Sequence, residues 1–379
     1  MYLSKAVITS TLLLILSTFF CTAKANAEPG VSDSTIKIGL STSLTGMNAT
    51  SGNEIKSVIS AYFSQLNTTG GINGRTLTLV TMDDAYLAER AAANTNALIE
   101  RNNVFALTCF NGTSATIAAL PVLTAARTPL IGTISGAESM RTPNNHYLFH
   151  TRASYSDETK AIIKQLLALG LTNIGIFYQN DGFGKAGLND LTLGLRQHNI
   201  RASMIAGINA NTINVNPAVA AFKKVKPQAI VMVTLEKVTS AFVRRLKSAD
   251  MHPYLATYSS IGAIILNKEL GDLSRGIMVS EVMPYLWDDT LPITHDFKKI
   301  RMKEALTYTG LEAYVNARVL AEAIRLTGKN LTRERLIDAL EHMHNYSIGG
   351  YTINFSPTNH NGSQFVDITI LGQNGQVLR

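Results

Sequence analysis

Two cysteines and one tryptophan in 379 residues already exclude a disulfide scaffold, which needs several bridges in a much shorter chain. Charged residues make up only 16%. No dense run of lysine and arginine occurs among them, so nucleic acid is a poor partner despite a formal balance of +7. With 46% hydrophobic residues the composition is globular rather than disordered. No repeat at solenoid spacing and no low-complexity tract is present. The chain also lacks a Gly-x-Ser-x-Gly elbow, a phosphate loop and a paired-histidine zinc motif. These absences argue against an enzyme and imply no cofactor and no metal. His342 and His344 lie two apart, on different faces of a helix, and His360 sits in an expected turn with no partner in sight.

The apolar run from Ala6 to Phe20 is shorter than the roughly 20 residues of a spanning helix. It follows Lys5 and precedes Ala25-Asn26-Ala27, small residues around a larger one, as a signal peptidase reads them. Residues 1–27 are therefore expected to be a cleavable signal peptide, removed before Glu28 on the way to the periplasm. Cys21 follows Phe19-Phe20, which does not suit a lipidation site. Loss of Lys5 and Lys24 leaves 32 basic and 27 acidic residues, a balance of +5. Cys109 is then the only cysteine, and a small buried apolar residue is the expected role.

Short apolar runs alternate with helical patterns through most of the chain. Strands are expected at 36–40, 77–82, 104–108 and 129–132, with helices at 54–66, 87–101 and 115–126 between and after them. The rhythm restarts after Arg152, with strands at 173–178, 202–206, 229–233, 254–257 and 277–280. This predicts an α/β fold of two doubly wound parallel-sheet lobes. The tail brings helices at 293–306, 311–326 and 333–343 without strands between them, then strands at 351–355 and 365–371 joined by a turn. Helices with no strands of their own must cover an existing sheet. The chain is therefore expected to return to the first lobe, which comprises 28–150 and 284–348. The second comprises 151–283 and 349–379, and three crossings form a hinge.

Five strings in order carry a resemblance. They are Ile36–Leu40 followed by Leu44-Thr45-Gly46, Gly70–Arg75, Asp83-Asp84, Tyr178–Gly184 and Gly310–Tyr314. In these the chain resembles the type I periplasmic solute-binding proteins of branched-chain amino acid importers, the leucine/isoleucine/valine-binding group. The resemblance implies two lobes closing on a small ligand, an ABC transporter permease as partner, and no chemistry on the ligand. A monomer is expected. A sensory receptor of the same fold, signalling to a membrane partner, is the alternative.

Asn111-Gly112-Thr113-Ser114 lies between a strand and a helix, where glycine admits close backbone approach and helix amides favour an anion. The resemblance places a carboxylate-binding loop here and a second gripping loop at Ser135-Gly136-Ala137. Glu138 beside it reads as a helix cap. On the second lobe Tyr155 opens a helix, and Phe183 stands between Gly182 and Gly184, where the family places an aromatic ring facing the cleft. The family also places an acid in the loop that here reads Tyr258–Gly262, which offers Ser259 and Ser260 instead. Glu236 and Glu281, at strand ends, are the acids left to face a ligand ammonium; each is more often a solvated surface acid.

Overall fold

The computed structural model describes residues 28–300 and 306–379; the expected signal peptide lies outside them. The first sheet has five strands: β1 (Thr35–Thr42), β2 (Thr76–Asp83), β3 (Ala106–Asn111), β4 (Leu130–Ile134) and β5 (Leu148–Phe149). All pair in parallel, in the order β2-β1-β3-β4-β5. Helices α1 (Ala49–Thr68), α2 (Ala88–Asn96) and α3 (Thr113–Ala125) connect them, and a short π-helical turn, Ala97–Arg101, continues α2. The run of buried residues along β3 and β4 is what a parallel strand covered on both faces requires.

The second sheet takes β6 (Ile174–Gln179), β7 (Met204–Ile208), β8 (Ala229–Val233), β9 (Tyr254–Thr257) and β10 (Met278–Glu281). These five are parallel, in the order β7-β6-β8-β9-β10. They are interleaved with α4 (Tyr155–Ala168), α5 (Gly182–Gln197), α6 (Asn216–Val225), α7 (Glu236–Ser248) and α8 (Ala263–Leu270). In both sheets the chain reverses its direction of winding beside the first strand laid down. The strand carboxyl ends on either side of that reversal are where open α/β sheets bind ligands.

After β10 come α9 (Pro292–Ile300), α10 (Tyr308–Thr327) and α11 (Arg333–Glu341). Helix α10 is buried along almost its whole length and packs on α1, β3 and β4, so the tail helices do cover the first sheet. The expected helix at 293–306 runs partly outside the described residues. Two sequence expectations are corrected in the tail. Its strands do not pair with each other: β12 (Tyr351–Ile353) forms a hairpin with β11 (Tyr346–Ile348). Strand β13 (Asp367–Leu371) instead joins β10 antiparallel and carries β14 (Val377–Leu378) on its outer edge. The second sheet is thus parallel in the middle and antiparallel at one edge. His360 is not an unpartnered turn residue either. It is buried, its ring stacks on Phe149 at 3.8 Å, and Nε2 lies 3.1 Å from Glu341.

Three segments pass between the sheets, at about 150–154, 282–291 and 354–366. They are tied side by side: the His150 amide donates to the His360 carbonyl and the Gly362 amide to the His150 carbonyl. The Tyr351 hydroxyl reaches the carbonyls of Thr151 (2.8 Å) and Val282 (3.3 Å). Cys109 is fully buried beneath α10, and burial pushes its thiol up to about 12, which leaves it an inert apolar residue.

Candidate functional site

The carboxyl ends of both sheets face each other, and the loops leaving them meet. At the end of β3, Gly112 has φ +105° and a Cβ there would stand 2.7 Å from the Tyr86 ring, so only glycine fits this turn. Gly112 is the N-cap of α3, and neither Thr113 nor Ser114 caps the helix. The hydroxyls are used across space instead. Thr113 Oγ1 lies 2.7 Å from Ser135 Oγ, beyond β4, and Ser114 Oγ accepts from the Gly182 amide of the second lobe at 3.0 Å. Asn111 is buried, and its side-chain nitrogen has no partner among the described residues.

Tyr155 is the second lobe's counterpart. Its amide donates to the Gly136 carbonyl at 2.7 Å, an approach that a Cβ on Gly136 would obstruct, again at 2.7 Å from that nitrogen. Its phenol, buried and shifted upward mainly by that burial, is bonded to the hydroxyls of Thr113 and Ser135. The Tyr155 ring sits 5.4 Å from Phe183 and 5.6 Å from Tyr258. Phe183 opens α5 behind an Asp181 cap that accepts from the Gly184 amide at 2.9 Å, and it is only 2% exposed. Ala137 is fully buried in the same apolar cluster. Glu138 begins a short 3-10 turn and makes no cap, contrary to expectation.

The two acids are not solvated, which corrects the sequence reading. Glu236, at the start of α7, is 2% exposed. Burial raises its pKa, while a hydrogen bond from Thr50 across the lobes works against the rise. Glu281, closing β10, is fully buried, and neither carboxyl oxygen has a partner among the described residues. Burial first, then the neighbouring Glu158 and Glu312, drive its pKa well above the ordinary carboxylate range. Ser260 Oγ is also buried and unpartnered among the described residues. Ser259 is engaged: its hydroxyl accepts from Arg152 at 2.6 Å and its amide donates to Glu158 at 2.9 Å.

Sequence reasoning missed the centre of this arrangement. Arg152, on the first crossing, is fully buried and binds Glu158 of α4 and, at 3.5 Å, Glu312 of α10. It also stacks over Tyr155, 5.6 Å from the ring centroid. Burial works against its charge, but Glu312 and Glu158 outweigh it and hold the guanidinium ionised. A second omission is Tyr86, which donates to Asp181 across the lobes at 3.3 Å. The Asp181-Gly182 cap signature was the one local clue to that contact; nothing local marks Arg152 or Glu312.

The Thr113 and Ser135 hydroxyls pair with each other, and the buried His150 contacts Thr133 and the Met140 carbonyl. Among the described residues no group of three or more His, Cys, Asp or Glu is placed to hold a metal ion, and no helix is long and apolar enough to cross a membrane.

Comparison with known proteins agrees with this geometry. A substrate-binding periplasmic protein from Ralstonia solanacearum is 33% identical over 90% of this chain and 99% of its own, with a TM-score of 0.86. A possible leucine/isoleucine/valine-binding protein from Rhodopirellula baltica SH 1 is 28% identical, over 93% and 98% of the two chains, with a TM-score of 0.87. An extracellular ligand-binding receptor from Verminephrobacter eiseniae ef01-2 is 26% identical, over 91% and 100%, with a TM-score of 0.83. The search of curated proteins finds no match. Residues 35–376 match the family described as periplasmic binding protein. With its two doubly wound lobes meeting at their strand carboxyl ends, the chain belongs to the type I periplasmic binding proteins.

Proposed function

We propose that this protein is the substrate-binding subunit of an ABC importer, taking up an amino acid or a related small carboxylate by closure of its two lobes. The observation that carries the reading is Tyr155 of one lobe bonding Thr113 and Ser135 of the other. The polar groups of both walls converge at one point. An anion fits beside the N-terminus of α3, where amides, the helix dipole and the Asn111 side-chain nitrogen favour negative charge. Glu236 at the start of α7 and Glu281 at the end of β10 are the acids that would meet a ligand ammonium, whose charge would oppose the upward shift that burial gives both carboxyls. Phe183 covers the apolar body of the ligand, with Ser259 and Ser260 closing the loop side.

The lobes divide near 150/151, near 283/284 and, past the β11–β12 hairpin, within 354–366; the protein acts as a monomer without a cofactor in the periplasm after losing residues 1–27, and the ligand leaves unchanged. A ligand touching both walls stabilises the closed form, whereas one touching a single wall shifts nothing.

A thermal-shift screen of amino acids and organic acids on residues 28–379 tests the ligand class, because binding to the folded state raises the melting temperature. Hits only among compounds lacking a carboxylate contradict the reading. Phe183→Ala is expected to weaken the best hit by roughly 1–3 kcal/mol in calorimetry, the scale of one buried aromatic contact. An unchanged affinity would remove Phe183 from the site.

A further inference from the structure

A second cavity, of about 580 Å³, opens beside the hinge, between the segment that follows β10 and the third crossing. That volume lies within the roughly 300–1,000 Å³ of small-molecule sites. Its polar lining is dominated by side-chain amides, from Asn345, Asn354, Asn359, Asn361 and Gln364. Tyr285 and Phe365 add aromatic surface, and Phe365 is 36% exposed. The only charged lining residues are Asp288 and Arg379, of opposite sign. Both are engaged already, Asp288 by Thr290 and Arg379 by Asp367, so neither calls for an ionic ligand.

The amides are held in place. Buried Arg141 donates to the carbonyls of Arg152 (3.1 Å) and Ala153 (3.3 Å), and at 3.0 Å to Asn361 Oδ1. Asn361 then donates from both its backbone and its side-chain nitrogen to Asn359 Oδ1, each at 3.0 Å. The side-chain carbonyl of Asn359 is thereby occupied, and its side-chain nitrogen is the group that remains to donate to a ligand. Side-chain amide N–H groups donate to hydroxyl oxygens, and an aromatic face suits the C–H side of a ring.

We infer that this cavity is a second ligand site, separate from the interlobe cleft, for a neutral polyhydroxylated ring: a saccharide. The cavity also contains Tyr351, whose hydroxyl touches the first and second crossings.

The test uses residues 28–379 with maltose, cellobiose and N,N′-diacetylchitobiose at millimolar concentration, read by saturation-transfer NMR and calorimetry. Asn359→Ala/Phe365→Ala removes one anchor of each kind; both side chains are exposed, so the fold survives. At least one disaccharide is expected to bind, about tenfold more weakly to the double variant, and with undiminished affinity to Phe183→Ala. Binding by none of the three overturns the inference. So does binding that Phe183→Ala abolishes and the double variant keeps, since the disaccharide would then occupy the cleft. Neither result touches the amino-acid screen, so the two readings stand or fall separately.

Discussion

Replacing Arg152 with alanine is expected to lower the unfolding free energy by about 3–5 kcal/mol at pH 8, the cost of leaving buried charge without its partner. Arg152 and Glu158 have no exposed side-chain surface and Glu312 has 5%. The guanidinium is the one cation these carboxylates share with Ser259. Its removal leaves Glu158 with the Ser259 amide and the Ser280 hydroxyl but no charge to balance it. The damage extends to the site, because Arg152 also lies over Tyr155, and ligand affinity should fall with stability. A triple variant, Arg152→Met with Glu158→Gln and Glu312→Gln, removes charge from all three and should recover most of the loss, since neutral groups of similar size need no counter-ion. Urea unfolding followed by fluorescence and by circular dichroism measures both. A loss under about 1 kcal/mol for Arg152→Ala, the scale of an exposed pair, would show that water reaches the cluster.

Glu312→Gln should be nearly neutral at pH 5 and stabilising by about 2–3 kcal/mol at pH 8. Burial, opposed by Arg152 and assisted by Glu158, raises the Glu312 carboxyl from 4.5 to about 7. The folded state therefore holds this proton more tightly than the unfolded chain does. Its contribution is complete below the unfolded value and is lost as pH rises through the folded one. Glutamine mimics the protonated acid and has no such loss. Glu281, shifted the same way by burial and its acidic neighbours, adds a decline of the same sign. His150 acts oppositely: burial holds its pKa well below 6.5, so its contribution grows as pH approaches 6.5. That contribution is common to wild type and variant and cancels in their difference. Denaturation midpoints of the two proteins at pH 5 and pH 8 decide the matter. A variant that is less stable at both pH values would mean the carboxylate is ionised throughout.

Most strands and helices were legible because a buried parallel strand and a half-buried helix each impose a local hydrophobic period. The elements that escaped are those where the period is short or broken. Strand β5 has two residues, and α6 carries a proline near its start. The glycine loops were legible too. Gly112 and Gly136 face backbone or ring atoms too close for a Cβ, a need that shows in sequence as glycine at the end of a strand.

Composition and periodicity by themselves determined two α/β lobes and a helical tail that had to lie on one of them, since each element must bury its apolar face against something. Only the tertiary structure decided that β13 pairs with β10 rather than with β12, and that Arg152, Glu158, Ser259, Glu281 and Glu312 share one dry volume. These residues are separated by up to 160 positions. Their charges become costly, and their partners necessary, only when the lobes meet and shut out water. No local pattern encodes that condition, because on an open chain each of these side chains would simply be hydrated.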